Sequence, residues 1–340
     1  MTKKRDVKLD IINVLAILAV VALHHNGLTY HYDGSPAWVS SFAADCVFYW
    51  AVPVFFMLSG VNLIGYSERY STKEYAVKRI SRAVFPFIFW SVAMLGLKYA
   101  FGFLSLEGET FGSVVKMILE YKVESVYWFF GPLFAAYLVI PVLTRLRNDH
   151  RILLYITVVN FIFVSLIPIL KAMFGFYWTL DVPIAGGLLI YVTAGYLLKV
   201  HNPPLKARIL IYITGIAGLL FRFIYTYIRT KEAGELDSTI KSYGAFHAVF
   251  FSIAVFVFLM NIEWSDLIPE KFNPLITELS GCSFGIFLIH RFIMLCEQKY
   301  MEFDIHSIYW RTLMIFVTYF ISLVIVYIIR KIPYLRRIMG

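Results

Sequence analysis

His24 and a cluster of basic residues at Lys78-Arg79-Ile80-Ser81-Arg82 are the groups in this sequence whose types and spacing could do chemistry. An imidazole exchanges its proton near neutral pH and is the usual base for activating a hydroxyl. His24 sits inside the apolar run Leu9–Asn26, and Asn13 precedes it by eleven residues. Eleven residues are about three helical turns, so the two share one face about 16 Å apart along the axis. Polar groups at membrane depth are costly unless they line a cavity or a site. Arg79 and Arg82 are three residues apart, neighbours on a helical surface, and two guanidinium forks can grip one polyphosphate. The same cluster could instead anchor anionic lipid headgroups. Beside His24 it suggests a division of labour, with an anionic donor held at one membrane face and its reactive end reaching a base deeper in.

Other residues carry weaker signals. His290 ends the string Ser283-Phe284-Gly285-Ile286-Phe287-Leu288-Ile289 and could flank an acceptor or bond to backbone. Trp128-Phe129 reads as an interfacial aromatic belt, or as a platform for stacking a sugar. Arg222, His247, Asp45 and Glu297 lie in or at the edges of apolar runs, where a charge needs a partner. Arg222 with Asp45 or with Glu297 is a candidate pair, but nothing in the sequence fixes which helices touch. Ser59 has no Ser-His-acid signature around it, and Ser59-Gly60 reads as a place for close helix approach. Cys46, Cys282 and Cys296 fall in apolar runs with neither disulfide nor zinc spacing, and no metal is expected.

The elements that must position these groups are membrane helices. The 340 residues are 60% hydrophobic and only 16% charged, beyond the apolar share of soluble domains. The expected fold is all-α, a polytopic integral membrane bundle of about ten crossings. After the first run these fall near 44–64, 84–103, 126–143, 152–170, 184–198, 209–228, 243–262, 282–297 and 309–329. Pro53 is expected to kink the second. The segment Thr110 to Tyr121 has the apolar spacing of a short helix lying on the outer surface. Most Lys and Arg fall in alternate loops, which places both termini in the cytoplasm. Met1-Thr2-Lys3-Lys4-Arg5 is a positive flank before a retained first helix, since no cleavage site follows. The net charge of +9 is scattered in short clusters, which argues against nucleic acid. One membrane domain over 1–340 is expected, without a soluble second domain.

Taken together and in order, several strings resemble the membrane acyltransferase 3 family. They are the first span ending in His24, Val52-Pro53-Val54-Phe55-Phe56-Met57-Leu58-Ser59-Gly60, Lys78-Arg79-Ile80-Ser81-Arg82 leading to Phe85-Pro86, Trp128-Phe129, and Ser283 to His290. The likeness runs over essentially the whole chain. It implies an enzyme that O-acylates cell-envelope glycans, with His24 catalytic and Arg79 and Arg82, with Lys78, gripping acyl-CoA from the cytoplasm. Members commonly carry a basic residue eleven positions before the histidine, on the donor path. Asn13 stands there in this chain, so Lys8 or another cation substitutes, or donor binding differs, or activity is lost.

The resulting expectation is a bacterial plasma-membrane O-acyltransferase moving an acyl group, in the first place acetyl, from coenzyme A to a hydroxyl of an extracytoplasmic sugar or lipid-linked glycan. His290 and Trp128 would flank that acceptor. The expected partners are the bilayer, the glycan and its synthesis machinery. A glycan or small-solute transporter using the same tunnel is the rival, and a structural subunit of a polysaccharide synthase is a third reading.

Overall fold

The computed structural model describes residues 6–178, 180 and 182–340, so the basic flank Met1 to Arg5 lies outside the described residues. The described chain is all helix, with no strand among those residues. In chain order the helices are α1 (Val7–His25), α2 (Pro36–Phe48), α3 (Ala51–Leu63), α4 (Thr72–Arg79), α5 (Phe85–Ala100), α6 (Phe111–Leu119), α7 (Phe130–Leu146) and α8 (His150–Asn160). They continue as α9 (Ile167–Phe174), α10 (Leu189–Val200), α11 (Leu205–Ala233), α12 (Phe246–Met260), α13 (Trp264–Leu267), α14 (Asn273–Met301), α15 (Ile308–Arg311) and α16 (Leu313–Lys331).

Among the described residues eight helical stretches are long and apolar enough to cross a bilayer, which makes this a multi-pass membrane protein. The apolar runs of the sequence predict about ten. Its sixth and eighth spans fall on α10 and α12, which have 12 and 15 residues. At 1.5 Å per residue these are about 18 and 22 Å long, short of a hydrocarbon core of about 30 Å. The second span also differs from expectation. It begins at Pro36, where the Ser35 side chain accepts from Trp38 N at 3.0 Å, and it breaks at Tyr49-Trp50 rather than kinking at Pro53. Pro53 lies in the first turn of α3, where its missing N–H leaves no bond unmade. The short helix expected over Thr110 to Tyr121 is α6, capped by Thr110, with Phe111 and Leu119 among its exposed residues.

Two stretches widen to π geometry, Ile80–Val84 before α5 and Phe161–Leu166 before α9. A proline follows each, Pro86 and Pro168. Neither can donate to the carbonyl four residues back, Arg82 or Val164, so the turn there opens. The first widened turn contains Arg82.

Without a solvent-driven force between helices in lipid, close association relies on packing of small residues. A Cβ at Gly60 would lie 1.9 Å from Val192 O, and one at Gly195 would lie 2.5 Å from Met57 Cα. Glycine at both positions therefore lets α3 and α10 meet backbone to backbone. Ser59 Oγ donates to Phe55 O at 2.9 Å, a local helical bond and not a nucleophile's setting.

Candidate active site

Helix α1 carries its polar face against α14, and the two run parallel. Thr277 Oγ1 donates to Asp10 Oδ2 at 3.3 Å, Asn13 Nδ2 donates to both the carbonyl and the hydroxyl of Ser280 at 3.0 Å, and the His24 ring lies 5.2 Å from the His290 ring. The steps along the two helices match almost residue for residue, eleven from Asn13 to His24 and ten from Ser280 to His290, so one continuous seam joins the pairs. Helix α16 runs antiparallel beside it. Lys331 lies 4.0 Å from Glu278, Arg330 donates to Gly281 O, and Thr318 lies at the level of His25 and Glu297.

At the far end of the seam His24 lines a cavity of about 880 Å³. Among the described residues no protein group hydrogen-bonds its ring. His290 is fully buried behind it, and is not on the cavity wall where the sequence reading had placed an acceptor contact. Its Nδ1 faces the carbonyls of Phe287 and Ile286 at 2.9 and 3.1 Å. Two carbonyls can only accept, which fixes the proton on Nδ1 and leaves Nε2 as a bare acceptor. That Nε2 is buried with no partner.

The neighbouring His25 faces the other way. Its Nε2 lies 2.8 Å from Thr318 Oγ1, which donates to Glu297 at 2.5 Å, and its ring packs 4.4 Å from Trp310. Glu297 is thus engaged through Thr318, while Arg222 pairs with Asp45. The structure therefore chooses between the two partners that sequence left open. Arg222 also lies 3.4 Å above the Tyr49 ring. Tyr49 stacks on Tyr243 at 4.1 Å, and Tyr243 on Trp128 at 5.3 Å, with interplanar angles of 10° and 15°. A guanidinium and a parallel ring this close to Tyr49 must occupy opposite faces. The result is a column of one cation and three rings, and Trp128, Tyr243 and Tyr49 all reach the cavity. His247, also noted in the sequence, bonds Ile240 O at 3.0 Å.

The basic cluster stands apart from this cavity. Lys78 Nζ lies 3.6 Å over the Tyr70 ring, and the Arg79 guanidinium lies 5.7 and 5.4 Å from the Tyr75 and Tyr137 rings. Arg79 Nε is buried without a partner, whereas Arg82 is exposed. Neither Lys78, Arg79, Arg82 nor Asn13 is on the cavity wall. Lys8, a possible substitute for the missing charge at position 13, is held by Glu263 at 3.1 Å. Arg330 reaches that level of the seam, for a Cβ at Gly281, next to Ser280, would lie 2.7 Å from its guanidinium.

Residues 6–329 match the family model for the acyltransferase domain of the acyltransferase 3 family. The chain belongs to that family. A search of curated proteins and a search of solved structures each found no match. The protein is therefore a membrane acyltransferase, an enzyme that moves acyl groups. Among its described residues no cluster of three or more His, Cys, Asp or Glu could hold a metal ion. What the sequence reading of this acyltransferase missed were Arg291, one residue past His290 and on the cavity wall, and Arg330. Both follow apolar strings closely enough to pass for flanking charge.

Proposed function

We propose that this acyltransferase moves an acyl group, in the first place acetyl, from cytoplasmic acyl-CoA to a hydroxyl of an extracytoplasmic glycan. The observation that carries the reading is the His24 ring on the wall of a large cavity, free of hydrogen bonds and backed by the bare Nε2 of His290. With His24 as base, the acceptor hydroxyl gives its proton to the imidazole while its oxygen bonds to the thioester carbonyl carbon. The C–S bond then breaks, and the departing thiolate takes the proton back from the imidazolium. No covalent enzyme intermediate is needed. His290 is a positioning residue, able to accept from an N–H of His24 and hold its other nitrogen toward the cavity.

The basic cluster fits the donor's phosphates. Arg79 has a buried, unpartnered Nε, Arg82 is open to solvent, and Lys78 is held nearby on Tyr70. The donor's thin arm would then run along the seam between α1 and α14, past Asn13 and Arg330, to His24. Arg330 takes the place of the charge absent at position 13.

Ten crossings in the plasma membrane, with both termini cytoplasmic, accompany this reading. Support comes from the two short helices. Leu188, just before α10, lines the cavity, while Lys199 in its last turn pairs with Asp6 at 2.5 Å. Tyr243, just before α12, lines the cavity, while Asn261 at its end accepts from Arg208 at 2.7 Å. Lys8 at the start of α1 pairs with Glu263 just past α12 at 3.1 Å, so each short helix links the cavity end of the bundle to the end where α1 starts.

The test uses vesicles of known orientation. With labelled acetyl-CoA outside inside-out vesicles and a glycan acceptor trapped within, labelled glycan is expected in the lumen. Labelling from right-side-out vesicles alone would reverse the assigned direction.

A further inference from the structure

The wall of the His24 cavity carries two cations and, among the described residues, no carboxylate. Arg291 lies on α14 beside His290. Its Nε is buried with no partner, and its Nη1 has only Met294 Sδ, 3.7 Å away. The residue is half-buried, and a guanidinium N–H shut from water is normally hydrogen-bonded, because an unmatched polar group out of water is costly. The carboxylate that acts on it electrostatically, Glu124, is already in an ion pair with Lys98 at 2.5 Å. The second cation, Lys241, reaches the wall from the loop before α12 and lies 3.9 Å over the Tyr30 ring. Asp45 and Asp237, which line a second, small cavity with it, are taken by Arg222 and Arg229. Both cavity cations therefore lack a carboxylate of their own, and they face the same space as the Trp128–Tyr243–Tyr49 ring column.

Rings offer a surface for the apolar face of a sugar, and free cations call for anionic oxygen. We infer that the acceptor is an anionic glycan, one whose sugar bears a carboxylate or phosphate that Arg291 and Lys241 bind while the ring packs near Trp128. A neutral sugar filling the cavity would displace water from the half-buried Arg291 guanidinium without matching its charge. This inference rests on the acceptor reading above, and its test therefore reads binding instead of acyl transfer.

The full chain in lipid nanodiscs is titrated with three oligosaccharides of equal length, one neutral, one carrying uronic acid and one carrying phosphate, with intrinsic tryptophan fluorescence and calorimetry as readouts. Either anionic sugar should bind about tenfold or more tightly than the neutral one, the scale of one charge-assisted contact. Which of the two binds better identifies the anionic group. Arg291→Gln and Lys241→Gln should each cut that preference several-fold, Arg291→Lys should retain part of it, and added salt should weaken only the anionic ligands. His24→Ala should leave the preference unchanged, so loss of transfer in that variant with preserved binding separates the two readings. Equal affinity for neutral and anionic sugars, no measurable binding of either anionic sugar, or a preference that survives in the well-folded double variant Arg291→Gln/Lys241→Gln would overturn the inference.

Discussion

Replacing Arg222 by Met should destabilise the bundle through the carboxylate it leaves behind. The side chains of Arg222 and Asp45 are each only 5% exposed, and Arg222 bonds both the carboxylate and the backbone carbonyl of Asp45. Removing one member of such a pair strands the other in a medium that solvates it poorly, at about 3–5 kcal/mol, whereas removing both charges costs far less. With an unfolding entropy near 2.1 cal/mol/K per residue, 340 residues convert that cost to a midpoint shift of about 4–7 °C. The assay is thermal unfolding of detergent-purified protein for Arg222→Met, Asp45→Asn and the double variant. Each single change should lower the midpoint by that amount, and the double variant should lose much less than the two losses added. Arg222→Met should also lower acceptor binding, since the Tyr49 ring loses the cation 3.4 Å above it. Additive losses would refute the argument, for they would mean that the charges are stabilised separately by water or lipid.

Other perturbations test other parts of the structure. Gly60→Leu should abolish folded protein, because a Cβ would lie 1.9 Å from Val192 O, whereas Gly65→Ala, with nothing within 4 Å, should behave as wild type in size-exclusion profiles. Arg79→Ala and Arg82→Ala should each raise the KM for acyl-CoA about tenfold or more with less effect on kcat, as loss of a charge-assisted phosphate contact predicts, and an unchanged KM would remove the cluster from the donor site. His306 bonds Asp33 and Asp304 at 2.9 Å, and these carboxylates raise its pKa above the ordinary 6.5. Protonated His306 is thus favoured in the folded loop, so the contact is fully present below the ordinary value and is lost as pH rises through the raised one. Protection from hydrogen exchange at Ser35 and His306, relative to the intrinsic rate at each pH, should fall over that window, and His306→Gln should remove the fall.

Helices were far more legible than their partners. The apolar period that marked α6 and the long spans is a local property, and each run announced itself. The break at Tyr49-Trp50 was hidden because both halves are equally apolar and Pro53 drew attention to the wrong residue. The short lengths of α10 and α12 were hidden too, since apolar loop residues such as Ile184 and Leu188 extend their runs beyond the helix. At the site, the spacing of Asn13 and His24 showed that they share a face, yet only packing reveals that the face meets Ser280 and His290. A sequence holds no record of which distant helices touch, which is why Arg222 kept two candidate partners, Lys8 looked free, and His290 looked suited either to flanking an acceptor or to bonding backbone. Arg291 went unread for a related reason. A cation after an apolar string ordinarily marks a membrane boundary, and only the packing shows that the carboxylate acting on it, Glu124, is already paired with Lys98.

The central claim is that His24 is the base for transfer of the acyl group, and the most direct measurement is ester formation itself. Membranes containing wild-type protein or His24→Ala, matched for amount and folding, are given labelled acetyl-CoA and glycan, and the glycan is examined by mass spectrometry. Base-labile O-acetyl groups should accumulate with the wild type and be absent with His24→Ala, while acetyl-CoA still binds the variant. Undiminished acetylation by His24→Ala, or movement of glycan across the membrane that needs neither His24 nor acetyl-CoA, would contradict the claim.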